Sequence, residues 1–127
     1  MKTIFTIIFL SIGLLSANAQ SELAFLEAFG TKDISTVSEL LNDNLTVCVS
    51  DDVVEVNRAE AVRILKKFIA ENTISKKKLL HNGKSSDKGS SYKVARIKTD
   101  TGTYRVFAYS EVQDGKSKIK EIRIDKM

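Results

Sequence analysis

Apolar residues recur at helical spacing in three stretches of this chain and alternate with polar ones in six more. Leu23, Phe25, Leu26 and Phe29 follow Ser21, a residue able to cap a helix, and Gly30 stops the run. Ile34, Val37, Leu40 and Leu41 follow the capping residue Asp33, and Asn42-Asp43-Asn44 closes this second, shorter helix. The clearest helix opens at Asn57-Arg58-Ala59-Glu60, which has the spacing of a capping box with Asn in place of Ser or Thr. Ala61, Ile64, Leu65 and Phe68 then fall at i, i+3, i+4 and i+7, and Ile69 widens the stripe. Arg58, Arg63, Lys66 and Lys67 take its wet side.

The strands are shorter signals. Leu45 to Val49 alternates, with Leu45, Val47 and Val49 on one face, and Ser50-Asp51-Asp52 turns the chain into a second strand, Val53 to Val56. After the long helix come four strands: about Ser75 to Asn82, Tyr92 to Thr99, Thr103 to Gln113 and Lys118 to Asp125. A soft polar loop, Gly83 to Ser90, separates the first two of these. Asp100-Thr101-Gly102 and Asp114-Gly115 make the hairpins between the others, and no proline interrupts them. The order is α-α-β-β-α-β-β-β-β. Three helices must then share one face of a long, twisted antiparallel sheet, an α+β arrangement. A sheet this long curls, and a helix lying in the curl leaves a cone with an open mouth.

A three-residue loop at Asp100 to Gly102 would pair Thr99 with Thr103 and Ile97 with Arg105. A two-residue Asp114-Gly115 turn would pair Phe107 with Ile122 and Arg105 with Ile124. In that register the core face carries Ala95, Ile97, Arg105, Phe107, Ile122 and Ile124, and Phe68 and Phe107 are both core residues. The outer face carries Val94, Tyr104, Val106 and Ala108 among Arg96, Glu121 and Arg123. A shorter first loop would change the partners on the preceding strand but leave Arg105 beside Phe107.

The start of the chain adds a compartment. Lys2 precedes an almost wholly apolar run from Ile4 to Leu15, and Ala17-Asn18-Ala19 is a small-x-small cleavage site. The run is too short to span a bilayer, which needs roughly 20 residues. The expectation is a signal peptide over 1–19 and one domain over 20–127, exported to the periplasm or beyond, with no transmembrane segment. Removing the first 19 of 127 residues leaves 108, enough for one core. The whole chain has 20 basic and 16 acidic side chains, and losing Lys2 leaves a modest, scattered excess that argues poorly for nucleic acid as a partner. The one cysteine, Cys48, cannot form an internal disulfide and reads as a small buried strand residue.

The order of elements is that of the nuclear transport factor 2-like cone. The capped helix Asn57 to Phe68, the segment Gly102-Thr103-Tyr104-Arg105-Val106-Phe107 and the ending Ile119-Lys120-Glu121-Ile122-Arg123-Ile124 point closer. On these the mature chain resembles the exported Bacteroidetes family called domain of unknown function 4783. The resemblance implies the fold, export, and a cavity between the long helix and the concave sheet. It brings no catalytic residues.

Candidate chemistry is sparse. His81, the only histidine, could act as a general base if a carboxylate stood beside it, but alternation leaves its face undecided. Arg105 on the core face would be an edge-of-core ion pair or an anion contact at a wet cavity mouth. Lys76-Lys77-Lys78 reads as an edge-strand guard or a basic contact surface. Nothing has metal-ligand or phosphate-loop spacing, so no cofactor and no metal is expected. The favoured reading is a non-catalytic exported binding or assembly domain, with a small apolar or anionic ligand in the cone touching Arg105 and His81. The apolar outer face suggests a homodimer centred on Tyr104, Val106 and Ala108 with Arg96 and Arg123 at the rim. The alternatives are a cavity enzyme of dehydratase or isomerase type and a purely structural dimer.

Overall fold

The computed structural model describes residues 21–85 and 89–127, with backbone alone over 81–85. The expected signal segment, 1–19, lies outside the described residues. Among the described residues nine elements follow in order: α1 (Ser21–Gly30), α2 (Ile34–Leu40), β1 (Leu41–Val49), β2 (Asp52–Asn57), α3 (Arg58–Glu71), β3 (Ile74–Ser85), β4 (Ser90–Thr99), β5 (Gly102–Gln113) and β6 (Lys116–Lys126). This is the α-α-β-β-α-β-β-β-β order of the sequence. Ser21 stands inside α1 rather than ahead of it. β1 begins directly after α2, so Asn42-Asp43-Asn44 is strand. β3 extends through Gly83–Ser85, the first part of the expected loop.

The caps explain where the helices start. Asp33 Oδ1 accepts from the Thr36 backbone N–H at 3.2 Å, and Asn57 Oδ1 accepts from the Glu60 backbone N–H at 2.9 Å. At the exit of α3, the Asn72 side-chain amide donates to the Phe68 carbonyl at 2.9 Å. Asp100 then ties the β4–β5 turn to the helix exit. Its carboxylate accepts from Thr73 N–H at 2.8 Å and its own N–H donates to the Thr73 carbonyl at 3.1 Å.

The six strands form one sheet in the order β2-β1-β6-β5-β4-β3. β3 to β6 is the expected antiparallel meander. β6 then lies parallel to β1, so the sheet is mixed, and β1 pairs antiparallel with β2. The concave face is packed by the helices. Phe25, Phe29, Val37 and Leu65 from the helices meet Leu41, Val47, Ile97, Val106, Ile119, Ile122 and Ile124 from the sheet, all fully buried or nearly so. An aromatic run threads this core. Phe25 stacks on Phe29 at 5.8 Å, Phe29 on Phe68 at 5.9 Å, and Phe68 meets the edge of Tyr104 at 5.1 Å.

The strand β5 faces opposite to expectation, for two separate reasons. The β4–β5 connection is a two-residue turn, so Thr99 pairs with Gly102 and Ile97 with Tyr104. The Thr99 hydroxyl closes that turn, accepting from Thr101 N–H at 3.1 Å. Gly102 takes a φ of 143° inside the strand, as a glycine can. On the other side, the Asp114-Gly115 turn does pair Gln113 with Lys116, but the register shifts between Tyr109 and Ser110. Lys120 is the extra residue, and beyond it Val106 pairs with Ile124 and Ala108 with Ile122. Each one-residue change turns β5 over relative to a neighbour. Ala95, Ile97, Ile122 and Ile124 are core as expected. On β5 the core residues are Val106 and Ala108, with the partly buried Tyr104 packed against the same core, while Arg105 is exposed and Phe107 lies on the outer face.

This register predicts an asymmetry in denaturant unfolding. Phe68→Ala should cost about 3–5 kcal/mol, as for other buried aromatic truncations. Phe107→Ala should cost less than half as much, and Val106→Lys should abolish folding by burying a charge. A Phe107→Ala loss equal to that of Phe68→Ala, or a folded Val106→Lys, contradicts the register.

Candidate functional site

The curl of the sheet opens between the β1–β2 hairpin and the C-terminal half of α3. A cavity of 770 Å³ lies there, lined by Val47, Val49 and Val54 from the strands, Ile64 and Phe68 from the helix, and the turn Ser50–Asp52. Arg63, Lys67 and Glu71 line it on the helix side. Val54 pairs with Val47 on the concave face, but Val47 is fully buried and Val54 is 41% exposed. The helix covers the first and does not reach the second, which leaves an apolar floor open at one end. Phe68, the back wall, is held by Phe29 and Tyr104 on either side.

The rim carries both signs of charge. Arg63 is committed to Glu60: its Nε donates to the two carboxylate oxygens at 3.0 and 3.1 Å, and its Nη2 pairs with Oε1. This pairing, reinforced by charge attraction, raises the guanidinium pKa and lowers that of Glu60. Lys67 lies one turn further along, exposed, and has no ion pair among the described residues. It is the cation at this mouth free to meet an anionic group.

A second polar feature, invisible in the sequence, sits in the core under α1. Glu22 is fully buried. Its carboxylate accepts from Ser21 Oγ at 2.7 Å and from Ser91 Oγ. Ser110 Oγ lies 3.3 Å from Ser91 Oγ, and Ser117 Oγ lies 2.5 Å from Ser21 Oγ. The cluster ties α1 to β4, β5 and β6. Burial pushes the Glu22 carboxyl up. The hydroxyls of Ser91, Ser21 and Ser110 and its own backbone N–H outweigh burial, and the group ends below its ordinary value. Among the described residues no buried side-chain N or O lacks a partner, so this carboxylate is a satisfied cross-tie.

The sequence-nominated residues do not converge. Arg105 is solvent-exposed on the outer face, away from the cone, because β5 is turned over. His81 stands in register with Val94, and its side chain lies outside the described residues. Tyr104 is on the concave face, its hydroxyl 3.3 Å from Asn72 Oδ1. Val106 and Ala108 are fully buried beneath the helices and cannot centre a contact with another chain. Arg96 and Arg123 are on the outer face, Arg123 paired with Glu121 at 2.6 Å. That face instead presents Tyr92 stacked on Phe107 at 5.6 Å. Cys48 is 5% exposed and donates to the Ser50 carbonyl at 3.2 Å. Burial, then the nearby Asp125, raise its thiol pKa, the opposite of an activated nucleophile. Among the described residues there is no group of three or more His, Cys, Asp or Glu able to hold a metal ion.

Three helices on the concave side of a curled sheet, with an opening beside the long helix, define a nuclear transport factor 2-like cone. Solved structures agree. A nuclear transport factor 2-like protein of unknown function from Cytophaga hutchinsonii superposes with a TM-score of 0.63 at 14% identity, covering 87% of this chain and 89% of that one. The chain belongs to the family described as domain of unknown function DUF4783, whose model matches residues 24–125. A family member from Bacteroides ovatus superposes with a TM-score of 0.76 at 23% identity, covering 82% of this chain and 93% of that one. Another from Bacteroides uniformis gives 0.76 at 21% identity, with 82% and 94% covered. No curated protein matches this chain in sequence.

The serine cluster has a pH signature. Glu22 has a lower pKa folded than unfolded, so in acid the unfolded chain binds the extra proton. Its contribution to stability is complete above the unfolded value near 4.5 and fades as pH falls through the lower folded value. Glu22→Gln should be less stable than wild type by roughly 1–3 kcal/mol at neutral pH, the worth of hydrogen bonds to a charged group. Below about pH 4.5 the two denaturation curves should converge. Curves that stay parallel down through this window would show that the carboxylate is not the tie.

Proposed function

We propose that this chain is an exported binding domain that holds a small, apolar-bodied ligand at the mouth of its cone. One observation carries the reading: Val54 is on the concave face yet 41% exposed, at the open end of an apolar floor. An apolar side chain left wet inside a cavity gains when a ligand covers it. Lys67, exposed and outside any ion pair among the described residues, supplies a place for an anionic head group on that ligand. The family and the fold leave the ligand open, since one fold hosts many functions.

Export rests on the n-region, the apolar run and Ala17-Asn18-Ala19. Among the described residues no helix is long and apolar enough to cross a membrane. Terminal sequencing of protein recovered outside the cytoplasm of the native host should read Gln20 first. A product retaining Met1 ends the export reading.

Binding is tested by calorimetry with decanoate and decanol as probes. Both should bind, decanoate more tightly. Val54→Asp should weaken both by at least about tenfold, since it places a charge on the apolar floor. Lys67→Ala should remove the preference for decanoate and leave decanol unchanged. If neither probe binds, or if both bind Val54→Asp as tightly as wild type, the cavity is not the site. Mass spectrometry of small molecules carried through purification from the native host would then name the ligand class.

A further inference from the structure

The outer face of the sheet carries a cluster of cations that its role in the fold does not require. In the observed register Lys76 pairs with Lys98, Lys78 with Arg96, and Arg96 with Arg105. All five side chains are exposed, and none has an ion pair among the described residues. Among the described residues, the one carboxylate in register with any of them is Asp125, opposite Arg105 on β6. Like charges set directly across from one another destabilise a sheet. Lysines on β3 can be understood as guarding an edge strand, because β3 is last in the sheet. Arg96, Lys98 and Arg105 cannot, because β4 and β5 have neighbours on both sides. With strands about 4.8 Å apart and alternate residues about 7 Å apart, the backbone positions of the five residues fall within an area of roughly 10 by 7 Å.

The geometry points to this patch as a docking surface for an acidic polysaccharide, one whose sugar units carry carboxylate or sulfate groups. Charge complementarity requires a polyanion. Next along the same face stands the Tyr92–Phe107 stack, so a chain laid across the patch meets cations and then an exposed ring. Val94 is 8% exposed and Phe107 is half-buried, which leaves only Tyr92 as open aromatic surface. That is enough to pack one sugar ring and too little to insert into a bilayer. The choice of polysaccharide over nucleic acid rests on the export reading, and terminal sequencing tests that reading separately from any binding result.

The test uses the mature chain and four probes: polygalacturonate, neutral dextran, phosphatidylglycerol vesicles and single-stranded oligo(dT). Polygalacturonate should bind, dextran should not, and binding should fall steeply with added salt. Arg96→Glu with Arg105→Glu should weaken polygalacturonate binding by at least about tenfold. Lys66→Glu with Lys116→Glu, the same charge change elsewhere on the surface, should alter it by less than about twofold. Tyr92→Ala should weaken it severalfold. Arg96→Glu alone puts a carboxylate between Lys78 and Arg105 and should raise Tm by about 2–5 °C while lowering binding, so lost binding cannot be lost folding. Equal losses from the two double variants would reduce the effect to net charge and overturn the assignment. So would vesicles or oligo(dT) binding as tightly as polygalacturonate, a wild-type dimer that buries the patch in sedimentation, or no binding to polygalacturonate at all.

Discussion

Val106 and Ala108 lie fully buried in the middle of β5, opposite Ile124 and Ile122 on one side and Ala95 and Lys93 on the other. Because a strand has a period of two, β5 cannot adjust one residue at a time; it faces one way or the other. The reverse face would send Arg105 into a layer of Ile97, Ile124 and Leu65. No carboxylate is placed there to meet it, and an unpaired buried charge costs several kcal/mol. It would also take Tyr104 away from Phe68, the wall of the cone mouth. The same orientation puts Arg105 next to Arg96 and Phe107 next to Val94 on the outside. The composition of both sheet faces, and the support of the cavity, follow from this one strand.

The helices were legible because their signals are local. Asp33 and Asn57 each cap the helix that follows them, through the N–H three residues on, but the Asn57 box is only half formed because Arg63 takes the Glu60 carboxylate. The apolar stripe of α3 packs as written, and the faces of β4 and β6 came out correctly at Ala95, Ile97, Ile122 and Ile124. β5 did not, because Tyr104, Val106 and Ala108 on one face and Phe107 and Tyr109 on the other make it apolar on both sides. Alternation then gives no preference, and the register depends on turn length and on a shift at Lys120. Neither leaves a strong mark in a single sequence. Arg105 offered the missing clue, since a lone Arg among core residues argues against the register that puts it there.

Glu22 shows a different kind of illegibility. A carboxylate in the first turn of a helix is ordinarily explained by the helix dipole. Its hydrogen-bonding partner Ser91 is 69 residues away, and Ser117 lies 96 residues from Ser21. No spacing rule links them, and only the packing of α1 across three strands brings the hydroxyls together. The openness of the cone mouth is equally a tertiary fact. Val53-Val54-Glu55-Val56 reads as any short strand, and whether the helix covers Val54 depends on where α3 stops.

These two polar and apolar features divide the interior by what remains unsatisfied. The serine cluster has its hydrogen bonds made within the chain, so a ligand arriving there would have to break contacts before forming any. The cone mouth is the reverse case. Val54 and the cavity floor lose apolar contact with water when something covers them, and nothing in the fold has to be undone first. The difference separates a feature that holds the domain together from one that can recognise another molecule, although both lie on the concave face. It also explains why the buried carboxylate of Glu22 is a poor general base. Its proton-accepting capacity is already engaged by Ser21 and Ser91, and protonating it would weaken the contact between α1 and the sheet.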